Sequence, residues 1–119
     1  MGHLQHPQVS GIATINQDEI VINFSDMPLG RLAAMRRLGE GMSAKSCDNW
    51  RDAATPAAKA LGDYLDQDLG PIVNVDLDSS LTITVSVNTG GASSIYQAIR
   101  DFFAREGIVI EVPTGVRSR

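Results

Sequence analysis

Residues 73–87, Val-Asn-Val-Asp-Leu-Asp-Ser-Ser-Leu-Thr-Ile-Thr-Val-Ser-Val, decide the fold class. Val73, Val75 and Leu77 alternate with Asn74 and Asp76. After Asp78-Ser79-Ser80, Leu81, Ile83, Val85 and Val87 alternate with Thr82, Thr84 and Ser86. Successive side chains of a strand point to opposite faces, so this alternation predicts two strands with one apolar and one wet face. The polar trio between them turns the chain, which predicts an antiparallel hairpin. Threonine and serine suit the exposed pleat. The apolar face of such a hairpin needs a cover, and the flanking sequence supplies one.

On the N-terminal side, Ala57, Ala60, Leu61, Tyr64 and Leu65 recur at helical spacing, with Lys59, Asp63, Asp66 and Gln67 opposite them. Thr55-Pro56 reads as the start of that helix and Gly70-Pro71 as its end. Residues 43–55 fit either a loop or a helix kinked at Pro56. Further upstream, Ser25-Asp26-Met27-Pro28 opens a helix running to Leu38. Leu29, Leu32, Ala33 and Leu38 are its expected inner face and Gly39 its C′ stop. Ile12–Ile15 and Ile20–Phe24 read as strands joined by a polar turn, with Ile20, Ile22 and Phe24 on one face.

On the C-terminal side, Asn88–Ser94 leads into a helix with Ile95, Ile99, Phe102 and Phe103 inward, stopped by Gly107. A last strand, Ile108–Val112, ends at Pro113. From residue 20 onward the order is β-α-β-β-α-β. That is the split arrangement of ferredoxin-like folds, with both helices on one face of the sheet. The expectation is therefore a single α+β domain over residues 9–113, carrying an extra N-terminal strand, with flexible termini at 1–8 and 114–119.

The 119 residues are 43% hydrophobic and 20% charged, within the range of one ordinary globular domain. Aromatics make up only 5%, so Leu, Ile, Val and Ala must fill most of the core, at roughly 1.5–3 kcal/mol for each larger side chain buried. The net charge of −4 speaks against a domain that lives on phosphate backbones or anionic lipid. No apolar run approaches the roughly 20 residues of a membrane span. The first residues lack the basic and apolar regions of a signal peptide. Gly2 lacks the Ser or Thr at position 6 that myristoylation favours, since His6 stands there. A single cysteine, Cys47, favours a reducing compartment, so the expected location is the cytoplasm. Usage rich in Arg, Ala and Asp points to a bacterial or phage genome.

Several segments invite a chemical reading. Thr89, Gly90, Gly91, Ser93 and Ser94 lie between a strand and a helix start, where backbone N–H groups can receive a small anion or nucleotide. The segment holds no Lys or Arg and no phosphate-loop motif, so an ordinary turn with Ser93 or Ser94 as N-cap is the preferred reading. Asp63, Asp66, Asp68, Asp76 and Asp78 cluster in sequence without calcium-loop spacing. Cys47 has no partner base, because the two histidines, His3 and His6, both sit at the start of the chain. No catalytic set, metal site or cofactor motif assembles. Arg31, Arg36, Arg37, Trp50 and Arg51 are candidate contact residues, since Arg and Trp anchor many interfaces. Equally, the arginines suit a solvated helix face and Trp50 suits the core.

No family resemblance emerges. The expected function is a non-catalytic protein-binding or regulatory module of inhibitor or adaptor type, with another protein as partner and a homodimer as one possible form. Neither membrane nor nucleic acid is an expected partner. The alternative is a small-anion or nucleotide-binding domain using the Gly90–Ser94 turn.

Overall fold

The computed structural model describes residues 9–24, 27–41, 49–69, 73–78, 81–87 and 91–112. Among these the chain is an α+β protein with a five-stranded mixed sheet and three α-helices. In order they are β1 (Val9–Ile15), β2 (Glu19–Phe24), α1 (Leu29–Glu40), α2 (Trp50–Leu69), β3 (Val73–Asp78), β4 (Thr82–Val87), α3 (Tyr96–Ala104) and β5 (Val109–Glu111). A short 3-10 turn, Ala92–Ile95, precedes α3.

The hairpin forms in the expected register, with Val75 opposite Val85 and Asp76 opposite Thr84. Ile83, Val85 and Val87 are buried, and Val75 and Leu77 pack partly buried against the same core. Leu81, expected as the first strand residue, instead closes the turn with φ 61. A three-residue hairpin loop commonly ends on a residue in this left-handed region. The carbonyl of Leu81 accepts the N–H of Phe24 at 2.9 Å, which ties the turn to β2.

The sheet order is β3-β4-β2-β1-β5. All neighbours are antiparallel except β1 and β5. In the four-strand ferredoxin-like order, the last strand would lie directly beside β2. Here β1 occupies that position, and the contiguous four-strand sheet is not formed. The cause is local: Asn16 N–H bonds the Glu19 carbonyl at 2.8 Å, closing a tight turn that lays β1 on the free edge of β2. Consecutive strands joined this closely usually pair. β5 then joins the outer edge of β1.

Helix boundaries differ from expectation at two glycines and one cap. α1 continues through Gly39 to Glu40, and Gly41 is the terminal residue with φ 78 and ψ −167. That backbone region is open essentially to glycine alone. Gly39 is needed for a different reason, because a Cβ there would lie 2.3 Å from the carbonyl carbon of Pro56 on α2. The two helices cross in contact at that point. α2 begins at Trp50, not after Thr55-Pro56, and carries Pro56 inside it. Asn49 starts it: its Oδ1 accepts the Asp52 N–H at 2.9 Å, and its Nδ2 donates to Asp52 Oδ2 at 2.9 Å. Thr55 is no cap, since its hydroxyl donates to the Arg51 carbonyl at 2.7 Å within the helix. The expected caps Ser25 and Asp26 and the Gly70-Pro71 stop lie outside the described residues.

The core takes one face of the sheet only. Ala13, Ile20, Ile22, Phe24, Ile83, Val85 and Ile110 meet Met35, Ala57, Leu61, Leu65, Ile99, Phe102 and Phe103 from the helices. Leu29, expected inward, is 65% exposed; α1 instead buries Leu32, Ala34 and Met35. The few aromatics form a chain through the core, Trp50–Phe24–Phe103–Phe102, with ring centroids 5.4–5.7 Å apart. Such pairs add about 0.5–1.5 kcal/mol each beyond the area they bury. A dispersed aliphatic core is thereby given a rigid centre.

Candidate functional site

The alternation that buries one sheet face exposes the other, and none of its residues belongs to the core. Strand pairing sets its rows. Glu111, Ile12, Asn23 and Thr82 form one row across β5, β1, β2 and β4. Thr14, Val21, Thr84 and Asp76 form the next, and Glu19, Ser86 and Asn74 the third. Ile12 is 39% exposed, Val21 and Thr84 are half-buried, and Asn23, Asn74 and Asp76 are exposed. Asn23 Nδ2 donates to Thr82 Oγ1 at 3.0 Å and Asn74 Nδ2 to Asp76 Oδ2 at 3.0 Å. The centre is uncharged and partly apolar; acidic residues stand toward the margins.

Charge is sharply divided between the layers. None of the five strands contains Lys, Arg or His. Every described base lies on a helix or in the turn after α3. Between described residues, Arg36 pairs with Glu40 at 3.2 Å, Arg37 with Glu106 at 2.9 Å, Lys59 with Asp63 at 3.4 Å and Arg100 with Glu111 at 3.4 Å. Arg105 holds its guanidinium 4.7 Å above the Tyr64 ring. The pair Arg37–Glu106 links the last turn of α1 to the turn after α3.

The two edges of the sheet are unlike. On β5 the Tyr96 hydroxyl donates to the Ile110 carbonyl at 3.0 Å, and Arg100 reaches Glu111 beside it. Side chains from α3 thus protect the short edge strand, a common device against edge-to-edge association. Burial raises the Tyr96 pKa, Arg100 lowers it, and Glu111 raises it. Among the described strands β3 pairs with β4 alone.

Of the candidate contact residues, Arg31, Arg36 and Arg37 lie on α1 and Arg51 is exposed in the first turn of α2. Trp50 is only 8% exposed and stacks against Phe24 with centroids 5.5 Å apart, so its ring serves the core and offers no surface anchor. In the Gly-Gly turn, Gly91, Ser93 and Ser94 are exposed, while Thr89 and Gly90 lie outside the described residues. The N–H of Ala92 donates to the Gln17 carbonyl at 3.1 Å, and both the N–H and hydroxyl of Ser94 donate to Gly91. These bonds tie the turn to the β1–β2 connection and commit two N–H groups that an anion would use. Neither Ser93 nor Ser94 caps a helix end through its side chain.

Among the described side chains, Asp63, Asp66 and Asp76 of the sequence cluster do not converge. Asp63 pairs with Lys59, and Asp76 lies on the open face. Asp66 keeps one buried oxygen without a hydrogen-bond partner. Among the described residues no group of three or more His, Cys, Asp or Glu is placed to hold a metal ion. Among the same residues no helix is long and apolar enough to cross a membrane. Cys47, His3 and His6, and the side chains of Asp68 and Asp78, lie outside what is described.

Sequence reasoning missed Ile12 and Val21 as the apolar centre of the open face. The signal was present in Gly11-Ile12-Ala13-Thr14, where small residues occupy the inward positions and the larger Ile12 points out. Compared with known proteins, the chain matches no family model, no curated protein and no solved structure.

Proposed function

We propose that the protein is a non-catalytic, cytoplasmic protein-binding module of inhibitor or adaptor type, and that the open face of its sheet is the contact surface. The observation that carries this reading is Ile12, 39% exposed among Asn23, Thr14 and Val21 on a face with no described cover. An uncharged, partly apolar centre within a polar margin is the ordinary anatomy of a protein interface. We infer further that the architecture is a ferredoxin-like split sheet into which β1 has been inserted. The contiguous order β3-β4-β2 supports this. Such a fold hosts many functions, so the functional proposal rests on the face and not on the architecture.

The test is a pair of charge insertions on opposite layers. Thr84→Arg lies at the centre of the open face, and Lys59→Glu lies on the outer side of α2. Both should keep the wild-type melting temperature within about 2 °C, since surface changes usually stay within ±0.5 kcal/mol. Co-purification from the native host should then recover the same partner with wild type and Lys59→Glu, but not with Thr84→Arg. A partner retained by Thr84→Arg and lost by Lys59→Glu overturns the assignment of the surface.

A further inference from the structure

We propose that the open face docks a protein surface presenting Lys or Arg around an uncharged contact. This deepens the reading of the face as a contact surface and rests on it. Every ionisable side chain described there is an acid: Glu19 at the start of β2, Asp76 on β3 and Glu111 on β5. Glu19 and Asp76 flank a centre made by Ile12, Val21, Asn23 and Thr84, while Glu111 at the β5 margin is already paired with Arg100 at 3.4 Å. No strand carries a base and the helical layer carries all the described ones, of which Arg100 reaches across to Glu111 on β5.

Complementary potential across an interface steers encounter and rejects wrong partners. A polyanion is repelled by this face, which sets nucleic acid aside. The same face of a second copy is repelled too, so an isologous sheet-to-sheet dimer is disfavoured. Five strands about 4.8 Å apart and six residues about 3.3 Å long span a face of roughly 20 by 20 Å. That lies below the roughly 800 Å² per partner of a standard interface. The complex is therefore transient and its association depends on salt.

The experiment uses the full chain, isotope-labelled for NMR, titrated with an octa-arginine peptide and with an octa-glutamate control. Saturable amide shifts should concentrate on Ile12, Val21, Asn23, Asp76 and Thr84 with octa-arginine and be absent with octa-glutamate. Glu19→Gln combined with Asp76→Asn should weaken binding about five-fold, the scale of two exposed charge contacts. Raising salt from about 0.05 to 0.3 M should weaken wild type more than the double variant, because two of the screened charges are gone from the latter. Shifts centred on helix acids such as Asp63 and Asp101, an unchanged double variant, or no saturable shift would overturn the basic-partner proposal. The contact-surface reading fails separately, through the host partner retained by Thr84→Arg.

Discussion

Replacing Gly39 by alanine sets two opposing effects against each other in one helix. In an unobstructed helix interior the change stabilises by up to about 1 kcal/mol, because glycine loses more backbone freedom on folding. At Gly39 the new Cβ would stand 2.3 Å from the Pro56 carbonyl carbon, 2.4 Å from its oxygen and 2.6 Å from its Cβ. Unstrained carbon contacts lie at about 3.5–4.0 Å, so α1 and α2 must part by more than 1 Å. Two of the three obstructing atoms are backbone, which no rotamer change can move aside. Overpacking of this kind costs about 1–3 kcal/mol, and the upper end applies here, leaving a net loss of about 2 kcal/mol. At about 4 °C per kcal/mol for a domain of this size, the melting temperature should fall by about 8 °C. Gly30→Ala in the first turn of the same helix is the control, since nothing lies within 4 Å of its Cβ position. Thermal unfolding followed by circular dichroism measures both variants. A Gly39→Ala protein as stable as wild type would refute the close crossing of α1 on α2.

Two further outcomes follow from the caps and the β5 edge. Asn49→Ala should cost about 1 kcal/mol in denaturant unfolding, while Thr55→Ala should be neutral or slightly stabilising, because Thr55 bonds back to a carbonyl within the helix. The reverse ranking would place the start of α2 at Thr55. Burial leaves Tyr96 protonated to a higher pH when folded than when unfolded. Its contribution is therefore complete below the ordinary phenol pKa of about 10 and is lost as pH rises through the raised value. Wild type should accordingly lose stability relative to Tyr96→Phe between about pH 9 and pH 12, and a constant difference over that range would contradict it.

The hairpin was legible because alternation over Val73–Val87 is a local signal of face, and the same holds for Ile20, Ile22 and Phe24. The stripe of α2 was legible from Ala57 to Leu65 for the same reason. Helix ends were less so. Gly39 carries the usual mark of a stop, yet its small size serves packing against Pro56, while Gly41 two residues on makes the turn. Thr55-Pro56 carries the usual mark of a start, yet Asn49 had already capped the helix. A cap motif competes with its neighbours, and sequence spacing does not rank them. Strand order was not legible either. Whether β5 joins β2 or β1 depends on which edge is free after the β1–β2 turn closes. The open face could be anticipated from Thr82, Thr84 and Ser86, and Gly11-Ile12-Ala13 signals an outward Ile12, but its place beside Val21 needed the pairing of β1 with β2 to appear.

The sheet is sealed on one side and accessible on the other, and native-state thiol labelling tests this residue by residue. In a Cys47→Ser background, single cysteines at Thr14, Asn23 and Thr84 should react with a soluble maleimide within minutes. Cysteines at Ala13, Ile22 and Val85 should react only after unfolding. Equal rates at Thr84 and Val85, or a protected Asn23 beside a reactive Ile22, would contradict the two-faced sheet and the contact surface built on it.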